Sequence, residues 1–152
     1  MKKDISQITT YQSGVMQSAA HRLMSRMKSQ YLSQYELTAR QWFVIGFVYD
    51  AGTKGIRLNE LMKILDTTMP FVTTIVNMLE SKNILYKTSD MTDSRVKLAT
   101  LNPKYRHTVE EIESGLREEL RTELYEKDNI SREELQAYIT VLHKMTQSSH
   151  SR

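Results

Sequence analysis

Two short helices joined by a tight connection, with a β-hairpin directly after them, constrain this chain more than any other feature. Apolar side chains recur at helical spacing over residues 58–65. After the connection "DTT", a second helix is predicted from the N-cap Thr68 to about Lys82, with Pro70 in its first turn, where a missing N–H is harmless. The strand-like runs "ILYKT" and "RVKLATL" then flank the polar turn "SDMTDS". This order predicts a winged helix-turn-helix.

Amphipathic helices on both sides of this core exceed what a small domain needs. Apolar residues recur at three- and four-residue steps over residues 5–33, and a stripe of nearly heptad spacing covers residues 103–127. A last helix is predicted after the cap Ser131 and its capping-box partner Glu134. Because a helix of about 25 residues spans roughly 38 Å, such helices are expected to pack outside their own lobe. The predicted fold is mainly α with a small β-hairpin wing, in three segments: an N-terminal dimerisation helix (1–35), a winged helix-turn-helix DNA-binding lobe (36–101) and C-terminal dimerisation helices (102–152).

The second helix of the helix-turn-helix has an unusual face opposite its predicted core. No charged residue occurs from Thr67 to Met78, although a solvent-facing helix usually carries Glu, Lys and Arg. Hydroxyls and amides suit base edges, and a Phe or Met can lie against a thymine methyl group. A helix buried on both sides is the alternative interpretation. The candidate DNA-binding residues on this helix are Thr68, Met69, Pro70, Phe71, Thr73, Thr74 and Asn77.

The charge distribution also favours a nucleic-acid partner at the hairpin. The formal net charge of the chain is only +3, which does not indicate a nucleic-acid binder by itself. Between Lys82 and Lys97, however, basic residues outnumber acidic ones by four to two. A basic patch on a small hairpin can lie against phosphates. The candidate residues here are Lys87, Asp93, Arg95 and Lys97.

Composition excludes several other classes. The chain has no cysteine, which excludes disulfides, thiolate metal sites and a thiol-oxidation switch. No apolar run approaches the roughly 20 residues that span a bilayer, so no membrane association is expected. The N-terminus "MKKDISQITT" has no apolar stretch behind its lysines, so it does not resemble a signal peptide. A cytoplasmic protein is therefore expected.

The whole pattern resembles the MarR family of transcriptional regulators, over nearly the full chain. The resemblance is carried, in order and spacing, by "LTARQWFVI", "LNELMKIL", "TTMPFVTTIVNMLESKNIL" and "TDSRVKLATLNP". Asp93-Ser-Arg95 matches the D-x-R wing motif of that family. The resemblance implies that Arg95 reaches into a minor groove and that Asp93 holds its guanidinium in place. It also implies that the helix from Thr68 to Lys82 is the recognition helix.

The chain departs from the family pattern at informative positions. The recognition helix has Met69, Thr74 and Met78 where relatives often have arginines, so arginine readout of guanine is lost on this helix. Asn83 replaces a frequent glycine before the wing and tolerates a left-handed backbone. Lys87 replaces an arginine of the first wing strand. An A/T-rich operator, with groove width sensed by the wing, is therefore expected.

A homodimer on double-stranded DNA is the expected working form. One winged module contacts few base pairs, whereas two modules related by a two-fold axis read a palindrome, with recognition helices about 34 Å apart. The resemblance further implies repression by blocking polymerase, and release by a small aromatic ligand bound between the dimerisation helices and the DNA-binding lobe. The predicted lining residues are His21, Met24, Met27 and Trp42. Core packing is the alternative role for each of them.

Three functions from other classes compete with this interpretation. The sequence contains no phosphate-binding glycine loop, nucleophile elbow or Ser/His/Asp spacing, so neither an enzyme nor a cofactor is expected and no catalytic residue is assigned. His107 and Glu110 share a helical face and suggest a metal-responsive regulator, but a closed site needs about four ligands, so no metal residue is assigned. A winged helix that docks only on proteins is the third, and salt dependence of binding separates it from a DNA-binding protein.

Overall fold

The fold is mainly helical, with a small antiparallel sheet. A computed structural model describes residues 4–148, so residues 1–3 and 149–152, the outer ends of the predicted dimerisation segments, lie outside the described residues. The helices are α1 (Thr10–Leu32), α2 (Ala39–Ala51), α3 (Leu58–Ile64), α4 (Met69–Ser81), α5 (Arg106–Leu120) and α6 (Arg132–Ser148). The strands are β1 (Ile56–Arg57), β2 (Leu85–Ser89) and β3 (Lys97–Leu101). The predicted fold class is confirmed.

The sheet contains one strand more than the predicted hairpin. Its order is β1-β3-β2, and both pairs of neighbours are antiparallel. Ala99 of β3 lies opposite Lys87 on one side and Ile56 on the other. A strand of two residues has no alternating pattern of its own, so β1 is recognisable only through its pairing with β3. The strand fixes the start of α3 against the base of the wing.

The chain divides into two compact units at Glu113, and the first contains the winged helix-turn-helix. In this unit α3 packs on α4, α4 packs on β2, and α2 packs on β3. Fully buried side chains form its core: Leu32 from α1, Val44, Ile45 and Val48 from α2, Leu61 from α3, Val72, Val76 and Leu79 from α4, and Leu85 and Ala99 from the sheet. This core fixes the orientation of α4 relative to the wing.

The first helix is shorter than predicted. A 3₁₀ turn covers Ile5–Gln7, and α1 begins only after Thr9. The Thr9 hydroxyl accepts a hydrogen bond from the Gln12 N–H at 3.2 Å, and the Gln12 side chain accepts one from the Thr9 N–H at 3.0 Å. This capping box satisfies the free N–H groups of a new helix end, so it separates α1 from the preceding turn. The prediction of one uninterrupted helix over 5–33 is therefore wrong in its first turns.

The segment predicted as one helix over 103–127 is divided as well. Asn102 accepts a hydrogen bond from the Lys104 N–H at 3.1 Å, and Pro103 follows it, as predicted. Pro103–Tyr105 is a 3₁₀ turn that leads into α5, and Arg121–Tyr125 is a π-helical turn after α5. The apolar stripe identifies the buried side of this segment but does not distinguish these three helical geometries.

The second compact unit begins at Ser114 and contains the end of α5, the π-helical turn and α6. Around the π-helical turn, Arg121 pairs with Glu118 and Glu126, and Lys127 pairs with Glu123. The predicted capping box before α6 is confirmed, because Ser131 and Glu134 exchange hydrogen bonds of 3.0 and 3.1 Å. Leu116 and Leu124 are buried.

Candidate functional site

Helix α4 has one buried face and one open face. Val72, Ile75, Val76 and Leu79 are all buried, as the helical spacing predicts. On the other side Phe71 is 37% and Met78 is 47% exposed, which contradicts the alternative of a helix buried on both sides within this chain. The exposed residues of this face are Thr68, Pro70, Phe71, Thr74, Asn77 and Met78, whereas Met69 and Thr73 are half-buried. We call this set the α4 face.

The start of α4 differs from the prediction in one detail. Thr68 has the extended backbone of an N-cap residue, but its hydroxyl makes no capping hydrogen bond to the first turn. Pro70, which has no N–H, removes one of the donors that such a cap would serve. The helix therefore begins where predicted, without the predicted side-chain cap.

Polar groups on the α4 face are already oriented by neighbours. The Thr74 hydroxyl donates to the Pro70 carbonyl at 2.9 Å, so its exposed oxygen remains available as an acceptor. The Asn77 carbonyl oxygen accepts a hydrogen bond of 2.7 Å from the Lys87 ammonium group of β2. Next to it, the Lys87 backbone N–H donates to the Glu80 carboxylate at 2.9 Å. Two contacts therefore hold the first wing strand against α4, and they place Lys87 at the edge of the α4 face.

The turn of the wing is organised by Asp90. Its carboxylate accepts hydrogen bonds from the Thr92 N–H at 2.8 Å and from the Thr92 hydroxyl at 2.6 Å. These bonds lower the pKa of the Asp90 carboxyl. Arg57 of β1 lies 3.4 Å from the same carboxylate. The backbone closes the turn through a 2.8 Å hydrogen bond from the Asp90 N–H to the Val96 carbonyl.

At the tip of the wing, Asp93 holds Arg95 by three hydrogen bonds. The Arg95 Nε donates to one carboxylate oxygen at 3.0 Å and its terminal nitrogen donates to the other at 3.1 Å. The Arg95 backbone N–H adds a third bond at 3.0 Å. The side-chain hydrogen bond to Arg95 is the main reason why the pKa of Asp93 is lowered, and the same bond raises the pKa of Arg95. The Arg95 side chain is 89% exposed, so its guanidinium is oriented but open to a partner.

The remaining wing residue of the predicted site, Lys97, contacts the neighbouring strand. The Lys97 ammonium group donates to the Ser89 hydroxyl at 3.0 Å, which links β3 and β2 at the base of the turn. The fold thus brings together all the predicted residues of the recognition helix and the wing within the first compact unit.

A cation that the sequence does not single out also reaches the α4 face. The guanidinium of Arg40, in the first turn of α2, lies over the ring of Phe71 at 5.1 Å from its centre. These residues are far apart in the sequence, and no local pattern links them. Only the packing of α2 near the start of α4 places them together.

The predicted ligand-pocket residues occupy different environments. His21 on α1 is exposed, Met24 and Met27 on the same helix are half-buried, and Trp42 on α2 is buried at 8% exposure. A groove of about 360 Å³ lies elsewhere on the first unit and contains none of the four. Its lining residues are Ile8, Tyr11, Gln12, Val15 and Met16.

Within residues 4–148, no group of three or more His, Asp or Glu side chains is arranged to hold a metal ion. Over the same range, no helix has the length and apolar character that a membrane span requires.

Comparison with known proteins points to one fold. No protein-family model matches the chain, and no curated protein sequence matches it. The DNA complex of S. aureus MepR is 29% identical, covers 92% of this chain and 98% of its own, and superposes with a TM-score of 0.72. A mutant of E. coli MarR complexed with operator DNA is 23% identical, with coverages of 87% and 91% and a TM-score of 0.76.

A further solved structure concerns regulation of DNA binding of Bordetella bronchiseptica BpsR by 6-hydroxynicotinic acid. It is 22% identical, covers 96% of this chain and 98% of its own, and has a TM-score of 0.75. The similarities to MarR and BpsR show only that the fold is shared. The likeness to MepR, a transcription regulator of the S. aureus multidrug efflux pump MepA, adds sequence similarity over nearly the whole chain.

Proposed function

We propose that this chain, a winged-helix protein of the MarR family, is a homodimeric transcription regulator that binds double-stranded DNA at specific sequences and acts as a repressor. The main support for this proposal is that the exposed and uncharged α4 face lies beside a wing whose tip presents the oriented guanidinium of Arg95. The DNA complexes of MepR and MarR support the same use of this fold.

The α4 face is suited to reading bases in a major groove. Asn77 offers an amide, Thr74 offers lone pairs, and Phe71 and Met78 offer apolar surface for thymine methyl groups. Since the helix carries no arginine, bidentate readout of guanine by an arginine of α4 is absent. We therefore infer an A/T-rich site that is read through methyl contacts, with sequence-dependent groove width as a second source of specificity.

The wing supplies the minor-groove contact. Arg95 is held by Asp93 through two nitrogens on one edge of its guanidinium, so little side-chain entropy remains to be lost when it enters a groove. Narrow A/T-rich minor grooves have an enhanced negative potential that attracts arginine. Lys87 and Lys97, on adjacent strands, contribute positive charge toward the phosphates on either side.

Two chains are required for a site of useful length. A two-fold pair reads a palindrome, with one α4 in each of two successive major grooves about 34 Å apart. Bound across a promoter, the pair blocks polymerase.

A small aromatic ligand regulates this binding if it prefers a spacing of the two DNA-binding lobes that does not fit the DNA. The affinity for DNA then falls by the ratio of the ligand affinities for the two spacings. BpsR, which shares the fold, is a protein whose DNA binding is regulated by an aromatic acid, and His21, Met24, Met27 and Trp42 stay the predicted lining residues.

The test begins with duplexes that the chain itself selects from a random library. We expect the selected sites to be palindromic and A/T-rich, and their affinity to fall linearly with salt on a log–log plot, by about 0.9 units of slope per phosphate contact. Arg95→Ala should weaken binding to the selected duplex by about tenfold or more, since it removes a groove contact from each half-site. Arg132→Ala, which removes an exposed arginine from the first turn of α6, is the matched control and should leave affinity unchanged.

Two outcomes contradict the proposal. If no duplex is enriched and binding to generic DNA does not depend on salt, the α4 face docks on a protein partner instead. If duplexes are enriched but Arg95→Ala binds them as tightly as the native chain, the wing does not contact DNA. Strong G/C requirements in every half-site would contradict the A/T-rich prediction while leaving DNA binding intact.

A further inference from the structure

A cation from another helix, the guanidinium of Arg40, reaches the start of α4. Between Thr67 and Leu79 the sequence offers no charged side chain, yet the Arg40 guanidinium lies 5.1 Å from the centre of the Phe71 ring. Phe71 is in the first turn of α4, at the end of the α4 face. The recognition helix therefore has an arginine beside it, although its own sequence contains none.

The backbone on both sides of this contact is fixed. Arg40 lies inside the capping box of α2, where Thr38 accepts from the Gln41 N–H at 3.2 Å and Gln41 accepts from the Thr38 N–H at 3.1 Å. Phe71 is followed by Val72, which is completely buried. Because the backbone is fixed at both residues, the fold itself places the Arg40 side chain next to the Phe71 ring.

The contact leaves the hydrogen-bonding edge of the guanidinium available. The guanidinium carbon of Arg40 lies over the Phe71 ring, and a cation over an aromatic face is attracted through its charge, so the contact uses none of its N–H donors. Arg40 is exposed, and over residues 4–148 no carboxylate lies within salt-bridge distance of it. An oriented and unpaired set of five donors matches an anionic oxygen ligand.

We propose that Arg40, positioned by the ring of Phe71, binds a DNA phosphate beside the groove that α4 enters. This inference rests on the proposed function. A phosphate is favoured over a base because Arg40 belongs to α2, outside the helix that enters the groove, and it flanks the N-terminal end of α4. The sugar–phosphate strand borders the groove at that place, and contacts to it set the register of a protein on the duplex. The ring of Phe71 then positions Arg40, in addition to the apolar surface that its exposed part offers to thymine methyl groups.

The experiment compares Arg40→Gln, Arg40→Lys, Phe71→Leu and the double variant Arg40→Gln with Phe71→Leu on the selected duplex and on an unrelated duplex, each at several salt concentrations. Arg40→Gln should weaken both duplexes by a similar factor of about tenfold, and should reduce the salt slope by about 0.9 for each chain bound. Arg40→Lys should keep most of the slope, because it keeps the charge.

The ring is tested through its coupling to Arg40. Phe71→Leu keeps an apolar side chain and loses the ring, so it should weaken binding by a smaller factor, and Arg40→Gln should cost less in this background than in the native chain. Phe47→Leu, which changes a phenylalanine of nearly equal exposure on α2 (39% against 37%), is the matched control and should show no coupling with Arg40→Gln. Circular dichroism checks that each variant retains its helices.

The outcomes separate this inference from the proposed function. If Arg95→Ala weakens binding while Arg40→Gln changes neither affinity nor slope, the phosphate contact is refuted and DNA binding stands. If Arg40→Gln weakens only duplexes with one particular base pair, Arg40 reads a base and the phosphate assignment is wrong. If Arg40→Gln costs as much in the Phe71→Leu background as in the native chain, the positioning role of the ring is refuted. If the native chain binds no duplex at all, the proposed function itself fails.

Discussion

The contact between Asp93 and Arg95 orients the guanidinium more than it stabilises the fold. Exposed ion pairs contribute little to folding because water screens them and both side chains lose freedom. Here, however, the carboxylate engages two guanidinium nitrogens and the backbone N–H of the same residue. A bidentate contact of this kind fixes the plane of the guanidinium. The pair therefore presents the outer edge of Arg95 in one orientation before any partner arrives.

The titration of Asp93 tests this geometry directly. The pKa of Asp93 lies below its ordinary value of 3.8, chiefly because its carboxylate accepts hydrogen bonds from the Arg95 side chain. Because the folded chain favours the ionised form, the contact stabilises the wing fully above that ordinary pKa, and the stabilisation is lost as the pH falls through the lower folded-state pKa. Arg95→Gln should move the Asp93 pKa back toward 3.8, as followed by carboxyl ¹³C chemical shifts.

Asp90 provides the internal control for this titration. Its pKa is also lowered, but chiefly by the hydroxyl and N–H of Thr92, which Arg95→Gln does not touch. The Asp90 midpoint should therefore stay where it is in the native chain. If the Asp93 midpoint were unchanged by Arg95→Gln, or the two aspartates moved together, the bidentate contact would not exist in solution.

At the scale of single elements, the approach of β1 to β3 depends on Gly55. Its φ of 76° is in the left-handed region, and a Cβ placed there would lie 2.8 Å from the Ala99 carbonyl oxygen. Gly52 also has a positive φ, 68°, but a Cβ there meets nothing within 4 Å. The two glycines thus share backbone strain and differ in steric contact, which makes them a matched pair.

We expect Gly55→Ala to lower the free energy of unfolding by about 1–3 kcal/mol more than Gly52→Ala does, because only Gly55→Ala forces an atom into the β3 backbone. Urea unfolding followed by circular dichroism, at one protein concentration for all variants, measures the difference. Equal losses for the two variants would mean that the separation of β1 and β3 adjusts freely, and that β1 does not fix the base of the wing.

The elements that the sequence predicts well are those whose signals are local. The buried stripe of α4 and the capping box of Ser131 with Glu134 follow from spacings of three and four residues, and both are confirmed. Asn83 likewise adopts the expected positive φ, at 61°. The turn that precedes α1 is missed because the apolar repeat continues across it, although Thr9 and Gln12 carried a capping-box signal.

The features that the sequence does not predict depend on pairing between distant segments. Strand β1 exists because its two residues meet β3, about forty residues later in the chain. The ring contact of Arg40 with Phe71 and the approach of Arg57 to Asp90 are of the same kind. Each of these contacts joins residues whose distance is set by the tertiary fold, so local periodicity in the sequence does not predict the contact.

At the scale of the whole molecule, apolar side chains remain on the surface of each compact unit. In the first unit Ile5, Tyr11, Val15 and Met16 are more than half exposed, and several of them line the groove of α1. In the second unit Tyr138, Ile139, Val141 and Met145 on α6 are also more than half exposed. Contiguous apolar surface on a chain of this size is typical of a protein–protein interface. A second copy of the chain is the occupant that the proposed function requires.

We therefore expect the chain, of 17.8 kDa, to sediment as a dimer at micromolar concentration, with an interface that includes Val15 of α1. Val15 is 68% exposed in the single chain, so Val15→Asp should cost the isolated fold little, but in a dimer it would bury a carboxylate in each copy. Such burial weakens association by about 2–4 kcal/mol for the pair. Sedimentation velocity over a dilution series should show a higher dissociation constant, with a parallel loss of affinity for the palindromic duplex.

The matched control for this substitution is Met91→Asp. Met91, at the turn of the wing, is the most exposed large apolar residue within residues 4–148, at 102%, so a carboxylate there should leave the dimer intact, although its charge will repel phosphates and weaken DNA binding. The two variants thus separate assembly from DNA contact: Val15→Asp should change the sedimentation coefficient and Met91→Asp should not. If Val15→Asp sediments as the native chain does and binds the palindrome equally well, α1 is not part of the interface. If the native chain itself is monomeric at these concentrations, the two-fold pairing on which palindrome recognition depends is refuted.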